Sequence, residues 1–297
     1  MPEGIRAGGG ELFPGIQPGT CQRVADGEVS GETGRKEQRD RYSGRGGNLL
    51  RDTPGTVLEA LLNSCQTENH FVSILIPMYQ AEKYILEAVE SAACQNVRKE
   101  VILVDDGSTD KGLSIVQDYQ AAGGEIRILP MKHRGQAAAR NAALQQAKGN
   151  YILYLDADDI LTDHAAEKLL EGFSEDPGAG VVCAKCRDFI SPDLSDAEAE
   201  NLRIQTEPYF RMLSGCTMIR REVYERVGLF DVSLPSSETA QWMLRMSDAG
   251  IRVHQIDAVT LMRRYHSSNF GRVSRQTQLK SYMEIIKQRR KADEHRK

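Results

Sequence analysis

Asp156 and Asp158, one residue apart and followed directly by Asp159, are the side chains in this 297-residue sequence best suited to chemistry. Carboxylate oxygens are hard donors. Mg2+ or Mn2+ is commonly held by one or two of them while substrate phosphates fill other positions. A second acidic pair opens the run Asp105-Asp106-Gly107-Ser108-Thr109-Asp110. Like charges gathered in one place repel, an arrangement that makes sense where a cation is bound. A single D-x-D is a weak signal, because acidic loops after strands are common. What decides is where the acids sit.

Their surroundings read as strand ends. Phe71 to Pro77 is a short, almost fully apolar run with a proline stop, as a buried parallel strand requires. Ile85, Ala88 and Ala92 then share one helical face. Val101 to Val104 is a second buried strand that ends in Asp105-Asp106. A helix with Leu113, Val116 and Tyr119 inward and a strand at Ile126 to Leu129 come next. The spacing predicts an Ala-rich helix over Gln136 to Lys148 with Gly149 as its stop. Tyr151 to Leu155 is a fourth strand, running straight into Asp156. Alternation at this pitch implies βαβ units and a parallel sheet. Ligands of such sheets bind beyond the carboxyl ends of the strands, where Pro77 with Tyr79, Asp105-Asp106 and Asp156 to Asp159 all lie.

The second half reads as a helix from His164 to Phe173, a strand from Val181 to Phe189 and a polar acidic loop from Ser191 to Glu207. A strand at Cys216 to Ile219, helices at Arg221 to Val227 and Glu238 to Ala249, and one or two strands after Ile251 complete it. The cluster Arg263-Arg264-Tyr265-His266 comes next. Residues 1 to about 50 are Gly-, Glu- and Arg-rich without apolar periodicity, and residues 1–68 are expected to form a disordered tail. A short helix is expected where Val57, Leu58, Leu61 and Leu62 share a face. Residues 69–275 form the expected globular domain. Residues 276–297 are expected to form a basic helix carrying Lys287, Arg289, Arg290 and Lys291, at most a peripheral contact for an anionic membrane.

Composition narrows the function. Hydrophobic residues make up 40% and charged residues 27%, ordinary for a globular chain. The formal net charge of -4 argues against a general nucleic-acid binder. No apolar run approaches the ~18 to 20 residues that cross a bilayer, and no secretory signal is evident. The expected location is cytoplasmic. Six cysteines show no disulfide framework. Cys183-Ala-Lys-Cys186 lies in an apolar run that reads as a strand, which favours buried structural thiols over a metal or redox site.

Ile76-Pro77-Met78-Tyr79, then Val104 to Asp110, then Gly135 with Ala139-Arg140-Asn141, then Ala147 to Ile152 with Leu155 to Asp159 form an ordered series. This series resembles the catalytic core of family 2 glycosyltransferases, and Phe230-Asp231 and the helix with Trp242, Arg245 and Gly250 extend the likeness to about Asn269. The resemblance implies the GT-A fold, an α/β architecture whose Rossmann-like, mostly parallel central sheet carries helices on both faces, with a C-terminal acceptor-binding portion. It implies an inverting transfer of a sugar from a nucleotide-diphospho-sugar to an acceptor hydroxyl (on a glycan, lipid-linked glycan, peptide or small molecule) with Mg2+ or Mn2+ as cofactor.

It also implies roles. Pro77, Tyr79, Asp105, Asp106, Arg140 and Asp156 would line the nucleotide-sugar pocket, Asp106 contacting the base. Asp156 would face ribose and metal, and Asp158 would be the main ligand. The alternatives are a turn-forming Asp106, since Asp-Gly-Ser favours turns, and an Arg140 that is merely solvated. Arg263 and Arg264 would neutralise the diphosphate, and His266 would complete the metal shell; a surface basic patch is the other reading. Two departures stand out. Tyr79-Gln80 replaces the usual Tyr-Asn, and Glu238-Thr239 replaces the usual Glu-Asp whose carboxylate deprotonates the acceptor. Glu238 can serve as the base or as an acid at a helix N-terminus, with Asp231 in reserve.

Two other functions fit the same outline: a non-catalytic nucleotide-sugar-binding protein, suggested by Thr239, and a GT-A nucleotidyltransferase. The latter usually opens with a Gly-rich basic loop, where this chain has Pro77-Met78-Tyr79-Gln80. Asp158 is the test of the whole reading. It must face an open cleft and must not be locked in a permanent ion pair.

Overall fold

The computed structural model describes residues 70–266, except 201, 203, 213, 235 and 236. The expected tail at 1–68 with its short helix and the basic helix at 276–297 lie outside the described residues.

The first half alternates as its periodicity predicts: β1 (Val72–Met78), α1 (Ile85–Ala93), β2 (Lys99–Asp105), α2 (Gly112–Ala121), β3 (Arg127–Pro130), α3 (Gln136–Gln146) and β4 (Tyr151–Tyr154). β1 pairs in parallel with β2 on one side and β4 on the other, and β3 extends the parallel set beyond β2. Every residue of β1 is buried, which is why its sequence is nearly continuous in apolar residues.

The period of two still sorts its side chains. Ile74, Ile76 and Met78 join one core with Val101 and Leu103, covered by α1 and α2. Leu75 joins the opposite core with Ile102 and Val104, covered by α3. Fully burying each such side chain contributes ~1.5 to 3 kcal/mol, so this sheet is the rigid part on which a site can be built.

The second half contains β5 (Ile160–Leu161), α4 (Ala165–Glu175), β6 (Val181–Ile190), α5 (Asp196–Glu200), β7 (Tyr209–Phe210), β8 (Thr217–Arg220), α6 (Arg221–Val227), α7 (Glu238–Asp248) and β9 (Val253–Tyr265). The strand order is β3-β2-β1-β4-β8-β6-β9-β5, with β7 on β6. β8 runs antiparallel to β4 and β6. β9 runs parallel to β6 and antiparallel to β5. α4 joins the first core, and α6 and α7 join the second. Both faces of the sheet therefore carry helices.

Several details differ from the expectations, among them α5, a short helix inside the stretch expected to be a loop. The Ala-rich helix stops at Gln146, where Ala147 turns extended with ψ 143°, so Gly149 is not its stop. A Cβ on Gly149 would lie 2.5 Å from the Ser73 nitrogen and 2.6 Å from the Phe71 carbonyl oxygen. Glycine stands there because the chain crosses directly against β1. The stretch after Ile251 is one long strand that already contains Arg263, Arg264 and Tyr265.

Cys183 and Cys186 are buried in β6 as expected. Register shifts between Cys183 and Cys186 break simple alternation. Cys186 makes its side-chain contact with Cys216, which holds its thiol down at about 7 against the opposing effect of burial. Among the described residues no helix is long and apolar enough to cross a membrane.

Candidate active site

Parallel pairing brings the ends of β1, β2 and β4 to one rim. Met78 lies opposite Asp105, and the Leu155 amide donates to the Leu75 carbonyl just before Asp156. The β5–β9 pairing, with Ile160 opposite Met262, then carries the end of β9 alongside the acidic turn.

The three acids of that turn have different partners. Asp159 is buried and accepts the Arg264 amide at 2.8 Å. Burial, then its neighbours Asp158 and Asp156, push its carboxyl well above the ordinary range. Asp156 Oδ1 accepts from Arg140 Nη2 at 3.2 Å and from Ser214 Oγ at 3.0 Å. Asp158, with its side chain 29% exposed, has its Oδ2 2.9 Å from Nε2 of His266. One partner of this carboxylate is thus an imidazole, itself a common metal ligand.

Among the described residues no three His, Cys, Asp or Glu side chains gather into a metal cage. The Asp158–His266 pair still fits a partly protein-held ion. Adjacent ligands on an octahedral ion with bonds near 2.1 Å stand about 3 Å apart, and here the two donor atoms are 2.9 Å apart. Mg2+ usually keeps only one or two carboxylates and completes its shell with phosphates and water. Tyr84 braces the imidazole, its ring 4.6 Å from that of His266.

Arg140 is not a solvated helix residue. It is buried. Its Nη1 lies 2.8 Å from Thr239 Oγ1 and 3.4 Å from Glu238 Oε1, and its Nη2 reaches Asp156 and Ser214. The rings of Tyr154 and Phe230 flank the guanidinium at 5.8 and 5.7 Å. One cation therefore ties the acidic turn of β4 to the start of α7. Glu238, only 5% exposed, sits at that helix N-terminus. Asp231, the reserve base, caps a surface turn through Ser233, and those hydrogen bonds lower its carboxyl below the ordinary value.

The rim over β1 and β2 divides its two acids. Asp105 Oδ1 accepts the Ser108 amide and closes the turn, so the turn-forming role falls to Asp105. Asp106, 2% exposed, accepts the amides of Arg134 and Gly135 at 2.8 Å each. Its Oδ2 also stands 2.9 Å from His133 Nδ1. Gly107 makes this possible: its φ is +75°, and a Cβ there would meet the His133 nitrogen at 2.8 Å. Tyr79 is exposed and stacks on the His133 ring, while Pro77 is buried within β1. Gln80, the departure from Tyr-Asn, adopts φ 52°. Its Oε1 accepts the amides of Thr109 and Asp110, bridging the β1 and β2 loops.

Arg263 and Arg264 have different partners. Neighbours on a strand point to opposite faces, and both residues lie within β9. Arg263 bonds the hydroxyls of Tyr265 and Tyr209 near Asp188. Arg264 is buried, ion-paired with Glu87 and donating to the Asp158 carbonyl. Arg264 thus braces the protein from inside, while Arg263 stays partly exposed. Nothing in the sequence singled out Ser214 or Tyr84, which the fold brings to the site. His133, also missed, did carry a signal, an imidazole two residues before Gly135 in a loop at the sheet's carboxyl rim.

The sequence model of the family described as Glycosyl transferase family 2 matches residues 73–228. A Bacillus subtilis protein described as an uncharacterized glycosyltransferase, EpsJ, is 29% identical over 63% of this chain and 58% of its own length. An Escherichia coli chondroitin synthase is 28% identical over 72% of this chain but only 32% of that protein. The chain therefore spans less than two thirds of either relative.

Solved structures agree on the fold. TarS 1-349 from S. aureus in complex with UDP-GlcNAc superposes with a TM-score of 0.54 at 22% identity, covering 67% of this chain and 59% of that one. The mannosyltransferase PcManGT from Pyrobaculum calidifontis in complex with GDP-Man and Mn2+ gives 0.55 at 18%, covering 78% and 72%. These likenesses establish the GT-A fold.

Proposed function

This chain belongs to glycosyl transferase family 2, and on that premise we propose that it moves a sugar from a nucleotide-diphospho-sugar to an acceptor hydroxyl with inversion. The observation that carries the proposal is the Asp158–His266 pair, two hard or borderline donors 2.9 Å apart at the carboxyl rim of the sheet. Asp158 and His266, with Asp156 beside them, would hold Mg2+ or Mn2+. Such an ion, when bound, neutralises charge on the departing diphosphate.

The rest of the work falls to the chain itself. Tyr79 offers a stacking face, and the Asp106 carboxylate accepts from the base. Arg140 holds Asp156 and Glu238 in place on either side of its guanidinium. The acceptor oxygen bonds to the anomeric carbon as the bond from that carbon to the diphosphate oxygen breaks. The electron pair leaves with the diphosphate, and the acceptor proton passes to Glu238.

A second reading has a specific observation behind it. Thr239 presents a hydroxyl where a carboxylate is usual, and Glu238 is buried against Arg140. A protein that binds nucleotide-sugars without transferring them fits those facts. One experiment separates the two: a thermal-shift screen of nucleotide-sugars with and without Mn2+, followed by donor hydrolysis on the best ligand. Mn2+-dependent stabilisation with turnover supports the transferase. Stabilisation without turnover supports the binding protein. No stabilisation by any nucleotide-sugar removes both.

A further inference from the structure

His133 stands where a nucleobase would be expected, and the role assigned to it here rests on the nucleotide-sugar reading. Its imidazole stacks on Tyr79 with ring centroids 4.1 Å apart and planes 24° apart. Its Nδ1 lies 2.9 Å from Asp106 Oδ2 and 3.1 Å from the Asp106 carbonyl oxygen. Both partners are acceptors, so the proton sits on Nδ1. Tyr79 and Asp106 are thus already engaged by a planar ring with an N–H pointed at the carboxylate. A base cannot slide between Tyr79 and His133 as they stand, because a third ring needs their separation roughly doubled.

We infer that the His133 side chain fills the nucleobase seat of the empty enzyme, and that the donor's base must displace it to bind. The displaced contacts define which bases succeed. Arg134 and Gly135 amides already occupy the Asp106 carboxylate. What His133 vacates is one carboxylate oxygen and one carbonyl oxygen, neither able to donate. The incoming edge must therefore supply an N–H. Uracil and guanine carry a ring N–H beside a carbonyl. Adenine and cytosine also carry an amino N–H on that edge, but beside a bare ring nitrogen that the second acceptor oxygen repels. Half of the His133 side chain is exposed (54%), so the ring has solvent to swing into. The His133 backbone runs close against Gly107, where an added Cβ would stand 2.8 Å from its nitrogen.

Displacement lowers apparent affinity by the fraction of molecules whose seat is open. Removing the ring should remove that penalty. Titration calorimetry with UDP, GDP, ADP and CDP on wild type, His133→Ala and Tyr79→Ala tests this. His133→Ala should bind UDP or GDP about five- to tenfold more tightly than wild type, with ADP and CDP still weak. Tyr79→Ala should bind all of them more weakly. The His133 ring-proton resonances in wild type should move away from their stacked position as UDP or GDP is added. Unchanged or weaker binding by His133→Ala, or unmoved ring resonances at saturation, overturns the inference while leaving the donor reading intact. If no nucleotide binds either protein, the donor reading fails and the inference fails with it.

Discussion

Nε2 of His266 and Oδ2 of Asp158 lie 2.9 Å apart, although 108 positions separate the two residues in sequence. That contact exists because β9 ends beside the turn after β4. If it marks a cation site, chelation with EDTA abolishes transfer and donor hydrolysis, and Mn2+ restores both. Asp158→Ala should lose at least about a hundredfold in kcat/KM with little change in Tm. His266→Ala should raise the Mn2+ concentration for half-maximal activity by roughly ten- to a hundredfold. Near-normal activity of Asp158→Ala at saturating metal would refute the assignment.

Arg140 faces two carboxylates and belongs to neither alone. Removing one member of a buried charge group leaves the others unpaired, at a cost of about 3 to 5 kcal/mol, so Arg140→Ala should melt many degrees below wild type. Arg140→Lys retains the charge but not the fork that spans Asp156 and Glu238, and should fold while losing activity. Glu238→Gln keeps the shape and removes both the base and the charge that faces Arg140. Steady-state kinetics should then show kcat down about a hundredfold or more with KM nearly unchanged. A Glu238→Gln enzyme within a few-fold of wild type would make Glu238 a helix-terminal acid and nothing more.

The legible parts of this molecule are those governed by local periodicity. β1, β2, α6 and α7 fall close to their expected limits, and α1 buries the face expected of it, because burial of one face repeats every 2 or 3.6 residues. The acids at the rim were legible for the same reason, since a strand end is visible in the sequence. Partner choice was not. Nothing near Ser214 announces that its hydroxyl will meet Asp156. The separation of Arg263 from Arg264 emerges only once both are known to lie within β9 and not after it. β5 and β7, two residues each, are too short to leave a periodic trace and exist because a neighbouring strand offers them hydrogen bonds.

Asp193 ties the loop after β6 to the start of α1. Its Oδ2 accepts from Tyr84 at 3.1 Å and from Lys83 at 3.3 Å. Hydrogen bonds from Ser191 first, then Lys83 and Tyr84, hold its carboxyl at about 2. A depressed folded-state pKa contributes stability that is complete above the unfolded value near 4 and is lost as pH falls through 2. Asp193→Asn should therefore melt about one or two degrees below wild type at pH 7. The gap should close between pH 4 and pH 2, and it should shrink with added salt because the pair is exposed. A gap that persists at pH 2 would mean the loop is held by something other than this carboxylate.

Gly149 offers the sharpest test of the scaffold beneath the site. Its amide donates to Ser73 Oγ at 2.8 Å. An added Cβ would stand 2.7 Å from that same oxygen and closer still to two backbone atoms of the β1 strand and its approach. Backbone atoms in a buried central strand have little room to retreat, so Gly149→Ala should cost about 1 to 3 kcal/mol, or several degrees in Tm. Were Gly149 free of contact with β1, the same change would be nearly silent, because the helix has already ended at Gln146. Hydrogen exchange distinguishes the two cases. Crowding against β1 should speed exchange at the Tyr151 amide, which bonds the Phe71 carbonyl, and at its neighbours along β4. A fraying helix would speed it only at the end of α3. Since β4 delivers Asp156 and Asp158 to the rim, the first pattern should come with reduced affinity for Mn2+ as well.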